Sequence, residues 1–332
     1  MLEIFMKKSL IALAVLAASG AAMAQSSVTL YGIADVWVGS TKSGVNAKSV
    51  TRVDSGGFNT SRYGFKGSED LGGGLKAVFK LEQGFDISTG AANTFNGAST
   101  SFNRQAFVGL EGGFGSLTFG NVWSAMDDII GAGNGAFDSG AFSPLYSMTG
   151  SVHNTYQDRP RNAIKYATPS FGGFTAAVAY GLDENAAVKQ DTVDFNVAYG
   201  AGPIGVSLAY QVQNNTTDTE LLLLNGSYDL GMAKLLATYG QVETGALKSR
   251  DYQFGVDVPL SSALTLSGSF AQTRDNAASG DGKRTGYGIA AKYSLSKRTF
   301  TYAGIRNVDA KNRAGTKIGK ESVYAVGVQH SF

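Results

Sequence analysis

The catalytic chemistry open to this 332-residue chain is narrow, because it holds two histidines, His153 and His330, and no cysteine. Histidine-dependent hydrolysis needs an acidic or nucleophilic partner within reach of the ring. His153 has no such partner at a recognisable spacing, and His330 falls in step with Tyr324, Val326, Val328 and Phe332 on one apolar face. Without cysteine there are no thiolate nucleophiles, thiolate metal ligands or disulfides. The run Gly72-Gly73-Gly74 is followed too soon by Lys76 to be a phosphate-binding loop and reads as a turn. No catalytic, cofactor-binding or metal-binding residue is assigned.

What the charges can do instead is select ions. Arg62, Gly64 and Lys66 alternate with Tyr63 and Phe65; Lys76, Lys80 and Glu82 lie opposite Leu75, Ala77, Phe79 and Leu81; Arg159, Arg161 and Lys165 lie opposite Ile164 and Tyr166. On a strand, alternate residues share a face. A charge facing lipid near the bilayer midplane costs roughly 2–4 kcal/mol, whereas one wetted in a lumen costs almost nothing. These cations are therefore expected to face water inside a channel. Cations converging on a narrow passage concentrate anions and repel cations, with an effect that fades as salt rises. Arg104 precedes an apolar run, so alternation does not fix its direction.

The elements that would position them are strands. From Val28 onward the chain alternates with period two in segments of about ten residues, separated by Gly, Asn, Asp and Ser clusters. Val193, Phe195, Val197 and Tyr199 alternate with Asp194, Asn196 and Ala198; Tyr252, Phe254, Val256 and Val258 alternate with Gln253, Gly255 and Asp257. About sixteen such segments occur, with starts near Val28, Phe58, Leu75, Asn103, Ser116, Arg159, Phe174, Asp191, Ile204, Thr219, Met232, Asp251, Leu264, Thr285, Thr299 and Ser322. The fold class expected is all-β, a transmembrane antiparallel β-barrel, because only a closed sheet satisfies every backbone N–H and C=O in lipid. Some joins are tight, such as Gly112 to Gly115; others are read as long and polar, such as Asp275 to Arg284 and Asp309 to Glu321. Between about Asn121 and Asp158 alternation lapses while apolar residues persist, including Trp123, Met126, Ile129 and Phe142. A loop of this length with its own apolar side chains is expected to fold into the lumen and narrow it.

The N-terminus reads as an export leader over residues 1–24, with Lys7 and Lys8 before the apolar stretch Leu10 to Ala18 and a small-x-small site at Ala22-Met23-Ala24. Met6 is a second candidate start, and residues 25–332 form the barrel domain. Removing Lys7, Lys8 and Glu3 leaves 26 basic against 25 acidic residues, a net charge of +1. That balance argues against a nucleic-acid partner, which needs a basic excess. No apolar run after residue 24 is long enough for a spanning helix. Few prolines (5) with many glycines (44), tyrosines (15) and phenylalanines (19) suit tight turns and aromatic girdles.

Five stretches carry a family likeness: Ser27 to Gly32; Ser61 to Gly72 with Gly74 to Ala77; Arg104 to Leu110 with Gly115 to Gly120; Arg159 to Asn162 with Tyr166 to Pro169 and Phe171 to Phe174; and Gly327 to Phe332. Together they resemble the general porins of Gram-negative bacteria, in the beta-proteobacterial, neisserial-like branch. The resemblance covers the whole chain. It implies sixteen antiparallel strands, a homotrimer in outer-membrane lipid, and a third external loop forming the eyelet. It matches Arg62, Arg104 and Arg159 to a basic pore wall, with Glu82, Asp127, Asp128 and Asp138 as candidates for the opposing side. It also makes Phe332 the terminal signal for the barrel-assembly machinery. One departure stands out: relatives often carry an arginine directly after Thr-Phe-Gly at the loop's start, where this chain has Asn121.

The function expected is passive diffusion of small hydrophilic solutes and ions, with a preference for anions. A substrate-specific channel is the first alternative. A plugged structural or adhesive barrel is the second.

Overall fold

The computed structural model describes residues 27–95, 98–183, 190–276 and 281–332, so the expected leader lies outside the described residues. These residues build a closed antiparallel barrel of sixteen strands. They are β1 (Ser27–Ser43), β2 in two arms (Val50–Ser55 and Arg62–Gly72), β3 (Leu75–Gly84), β4 (Gln105–Gly112), β5 (Gly115–Asn121), β6 (Ala163–Ala167), β7 (Phe174–Gly181) and β8 (Thr192–Ala201). Then follow β9 (Ile204–Gln213), β10 (Thr219–Asp229), β11 (Lys234–Thr244), β12 (Leu247–Pro259), β13 (Leu264–Asp275), β14 (Asp281–Ser294), β15 (Thr299–Asn312) and β16 (Lys317–Ser331). Each strand pairs with its sequence neighbours, and β1 closes on β16 in register from Ile33↔Ser331 to Ser43↔Glu321. The seam is finished by the last residue: Gly32 N–H donates to the Phe332 carbonyl at 3.1 Å, and Phe332 N–H donates to the Gly32 carbonyl at 3.0 Å.

The alternation sorts side chains as lipid demands. Val108, Phe254 and Ile289 point out of the barrel at 59%, 66% and 52% exposure. Gln211, Asn225, Gln253 and Thr273, on the other face, are buried. Such burial on a lumen face means that something fills the lumen beside them. The filler is the connection between β5 and β6, which carries two 3-10 turns (Ala136–Asp138 and Leu145–Ser147) and the single-turn helix α1 (Val152–Thr155). Met126, Phe142, Leu145 and Met148 of this loop are fully buried. The inward folding expected from its apolar residues is what the chain does.

Tight turns occupy one end of the barrel. Between β2 and β3 the glycines at 72, 73 and 74 take φ of 87°, 61° and 80°, a left-handed path that side chains resist. The opposite end carries the longer loops.

Several boundaries differ from the sequence reading. The stretch from Asp309 to Glu321 is mostly strand and strand enters both ends of Asp275 to Arg284, since β13 runs to Asp275, β14 starts at Asp281, β15 runs to Asn312 and β16 starts at Lys317. There the hairpins rise past the apolar band, both faces are polar, and period two vanishes although the ladder continues. The strand expected from Arg159 begins instead at Ala163, after Asn162 at φ 51°. Arg159 and Arg161 therefore belong to the loop's end rather than to a strand face. The strand expected from Phe58 is split, because Gly56 to Ser61 leave the ladder and turn into the lumen between the two arms of β2.

Candidate pore constriction

The inner faces of β2 and β3 bring cations together about one carboxylate. Glu82 accepts a hydrogen bond from Arg104 Nε at 2.8 Å and another from the Tyr31 hydroxyl at 2.8 Å. Lys80 Nζ lies 3.4 Å and Arg62 Nε 3.9 Å from the same carboxylate. Strand register explains this meeting: Gly64 stands opposite both Tyr31 and Glu82, and with no side chain there the phenol reaches across to the carboxylate. A Cβ at Gly64 would sit 2.8 Å from the Tyr31 oxygen. Arg104 lies just before β4 begins, so it escapes strand parity and turns inward; its N–H donates to the Glu82 carbonyl at 3.1 Å. Aromatic rings extend the site, with Lys80 and Arg104 over Trp123 at 5.4 and 5.9 Å, and Lys66 and Lys80 over Tyr31 at 5.2 and 5.6 Å.

Glu82 thus departs from expectation. Read from sequence as a candidate for the side opposing the arginines, it lies among them at 2% exposure. It faces the same way as Lys80 because two residues along a strand share a face. Three cations on one carboxylate leave an excess of two positive charges on this wall.

The acidic partners come from the loop. Asp127 accepts from the Tyr156 hydroxyl at 2.7 Å, and burial pushes its carboxyl up to about 6. Asp138 accepts from Asn134 Nδ2 at 2.5 Å and from the Tyr146 hydroxyl at 3.3 Å; burial pushes it up to about 7. Asp128 is paired with Lys165 at 2.7 Å, and burial also raises its carboxyl. Lys165 further donates to the Ser124 carbonyl at 3.3 Å, so this cation ties the loop to β6. Arg159 pairs with Asp158 at 2.9 Å and stands within electrostatic reach of both Asp127 and Arg62. Arg161 is exposed at the rim, near Asn162 and Asp183.

The loop is held against the lumen face of the other walls. Asp194 of β8 accepts from Met126 N–H at 2.7 Å, and Asn196 donates to the Ala125 carbonyl at 2.5 Å. Asn225 of β10 donates to the Ile129 carbonyl at 2.8 Å. On β12, Asp251 accepts from Val152 N–H at 2.7 Å and Gln253 donates to Asn134 at 2.5 Å. Arg306 of β15 donates to the Gly140 carbonyl at 3.0 Å. The wall beside Glu82, on β3 and the second arm of β2, carries none of these tethers, and the cations gather there. The tip, Ala136 to Asp138, is strained, with three successive non-glycine residues at φ of 54° to 61°.

Sequence reasoning missed the part played by Asp35. This fully buried carboxylate accepts from the N–H groups of Gly57, Phe58 and Asn59 at 3.0, 3.0 and 2.8 Å, and from the Tyr302 hydroxyl at 2.5 Å. It thereby holds the inward turn between the arms of β2. Phe58 on that turn packs on Tyr302 and Phe137 at ring distances of 4.7 and 5.3 Å, and the Gly57 carbonyl accepts from Ala141 N–H at 3.0 Å. The signal available was a lone carboxylate inside β1, flanked by Ala34 and Val36. His153 is fully buried edge-on to Tyr146, with ring centroids 5.5 Å apart, and burial pushes its imidazole down to about 4, leaving it neutral.

Comparison with known proteins gives concordant matches. A family model described as Gram-negative porin matches residues 10–313. Outer membrane porin protein 32 of Delftia acidovorans is 36% identical over 98% of this chain and 95% of its own length. An outer membrane porin protein of Bordetella pertussis is 30% identical over 98% of this chain and all of its own. Among solved structures, an anion-selective porin from Comamonas acidovorans superposes with a TM-score of 0.80 at 27% identity, covering 93% of this chain and 100% of that one.

Proposed function

The chain belongs to the Gram-negative porin family and is a passive channel of the outer membrane; from that premise we propose that it prefers anions, and that Arg62, Lys80 and Arg104 set the preference. The observation that carries this reading is the imbalance at the constriction. On one side three cations share Glu82. On the other, Asp128 is spent on Lys165, while Asp127 and Asp138 have carboxyls raised by burial to about 6 and 7. Near neutral pH the acidic side therefore carries less charge than its residue count. An anion meets a positive wall, and cations meet a barrier. The likeness to an anion-selective porin supports the same sign. Asn121, which relatives often replace by arginine, removes one cation from the loop's start and moderates the preference.

The same reading takes residues 1–24 as an export leader, the assembled state as a homotrimer, and Phe332 as the signal recognised by the barrel-assembly machinery.

The test is the reversal potential of single channels across a salt gradient. Wild-type protein should reverse on the anion side, and Arg62→Gln with Arg104→Gln should move it toward cations at low salt. An unchanged potential would remove these residues from the selectivity role. Saturable block by one solute at low concentration would favour a substrate-specific channel, and absence of conductance would favour a plugged barrel.

A further inference from the structure

The loop between β5 and β6 is bonded to the barrel along its flanks, but its tip is scarcely bonded at all. Among the described residues, the three at 136–138 make one hydrogen bond to the wall, from Phe137 N–H to Ser267 Oγ at 3.3 Å. Ser267 in turn donates to Asp257 at 2.5 Å. The Asp138 carboxylate turns back to the loop's own Asn134 and Tyr146. Yet all three tip residues hold φ of 54° to 61°, where a bulky side chain such as Phe137 is uncommon. Backbone of this kind persists only while its surroundings enforce it. One long hydrogen bond is too little for that task.

The enforcing contact is a pair of rings closed by an ammonium. Phe137 lies between the Phe58 ring, 5.3 Å away, and Lys292 Nζ, 5.2 Å from its own centroid. The same Nζ stands 5.7 Å from the Phe300 centroid, so one cation joins the loop tip to β15. Lys292 belongs to the lumen face of β14, opposite the buried Tyr302, while its neighbour Tyr293 faces outward. It makes no ion pair among the described residues. Asp257 is within electrostatic reach, but it is hydrogen-bonded to Ser267 and stands opposite Lys234. An ammonium placed over two ring faces is attracted by both, and more strongly as water is excluded.

We infer that Lys292 is a positioning residue of the channel: its ammonium pins the strained loop tip to β14 and β15 and so keeps the lumen open. Toward the wall the tip has no room to move. A Cβ at Gly135 would sit 2.7 Å from Ser269 Cβ, and one at Gly288 would collide with the Phe142 carbonyl. A released tip therefore swings into the lumen, where it narrows or shuts the passage. Lys292 lies apart from the cations around Glu82, so the inference holds whichever ions the channel prefers.

The experiment records single channels of the full barrel in planar bilayers near 1 M salt. There a charge on the ion path is screened within ~3 Å, so altered gating reports the tip rather than selectivity. Lys292→Met keeps the length and drops the charge; it should raise the occupancy of closed or reduced-conductance states about fivefold, the worth of one partly wetted cation–ring contact. Lys292→Gln should behave alike, which covers the case of a methionine variant that assembles poorly. Lys292→Arg keeps a cation over both rings and should give wild-type records. Phe137→Leu removes the ring on the loop, so adding Lys292→Met to it should raise closure no further. Heat-modifiable mobility on gels confirms a folded barrel in each case. Wild-type gating in both neutral variants, no restoration by arginine, or a further rise in the double variant would each overturn the proposal.

Discussion

Replacing Glu82 by Gln tests the constriction most sharply, because the placement of Glu82 reverses the sign that its charge alone suggests. If Glu82 were part of an acidic side facing the pore, losing it would simply remove a cation attractor. Its place is among Arg62, Lys80 and Arg104, with oxygens 2.8 Å from Arg104 and 3.4 Å from Lys80. Neutralising it raises the wall from a net +2 to +3 within one compact group. For an ion passing about 7 Å away, one unit charge is worth ~0.6 kcal/mol in bulk water and ~2.4 kcal/mol at an effective dielectric of 20. Even the lower figure multiplies anion occupancy about threefold and divides that of cations equally. The reversal potential should move toward the anion limit in a gradient centred near 0.1 M salt, and the shift should nearly vanish near 1 M, where screening acts within ~3 Å. Loss of a buried charge partner costs at most about 3–5 kcal/mol. Gln keeps an oxygen for Arg104, so the barrel should still show heat-modifiable mobility on gels. A shift toward cations, or none at low salt in a folded barrel, would refute the assignment.

Other outcomes follow from the same geometry. As pH falls from 8 to 5, Asp127 and Asp138, with carboxyls raised to about 6 and 7, take up protons and lose their negative charge, so selectivity should move toward anions. Across that range Tyr146 and Tyr156 stay protonated and His153 stays neutral, and a flat profile would count against those carboxyls facing the ion path. Asp35→Ala strands three N–H donors and the Tyr302 hydroxyl, each worth about 1–3 kcal/mol when buried and unsatisfied. It should lower the denaturation midpoint and raise open-channel noise as the inward turn and the loop tip loosen. Gly32→Val would place a Cβ 2.3 Å from the Phe332 ring and 2.7 Å from the Arg62 carbonyl, so the seam should fail to close and the heat-modifiable species should be lost on gels.

Sixteen strands were legible because each crosses lipid with one apolar face, and the two-residue period survives wherever that contrast exists. It fails where the contrast fails. The upper parts of β14 and β16 are polar on both faces, so Asp281 and Lys317 could not be read as strand starts. The arm Val50–Ser55 was invisible because its continuation is interrupted by a turn that only the remote Asp35 explains. The cations of the constriction were readable by parity for Arg62, Lys66 and Lys80, which sit inside regular strands. Arg104 was not readable this way, since it precedes β4, and the place of Glu82 depended on Gly64 leaving room for Tyr31. Parity assigned Arg159 and Arg161 to a strand that starts four residues later than Arg159.

The way the loop is fastened divides the channel between fixed and adjustable surfaces. Asp194, Asn196, Asn225, Asp251 and Gln253 each satisfy loop backbone or side-chain groups, and exchanging any of them leaves a stranded polar group under the loop. Descendants of this sequence that meet a new diet of solutes can therefore vary little on that half of the lumen. Their freedom lies around Glu82, on β3 and the second arm of β2, and in the carboxylates along the loop's rim. A handful of substitutions in one quadrant can retune what passes, while the rest of the cylinder is preserved as its mount.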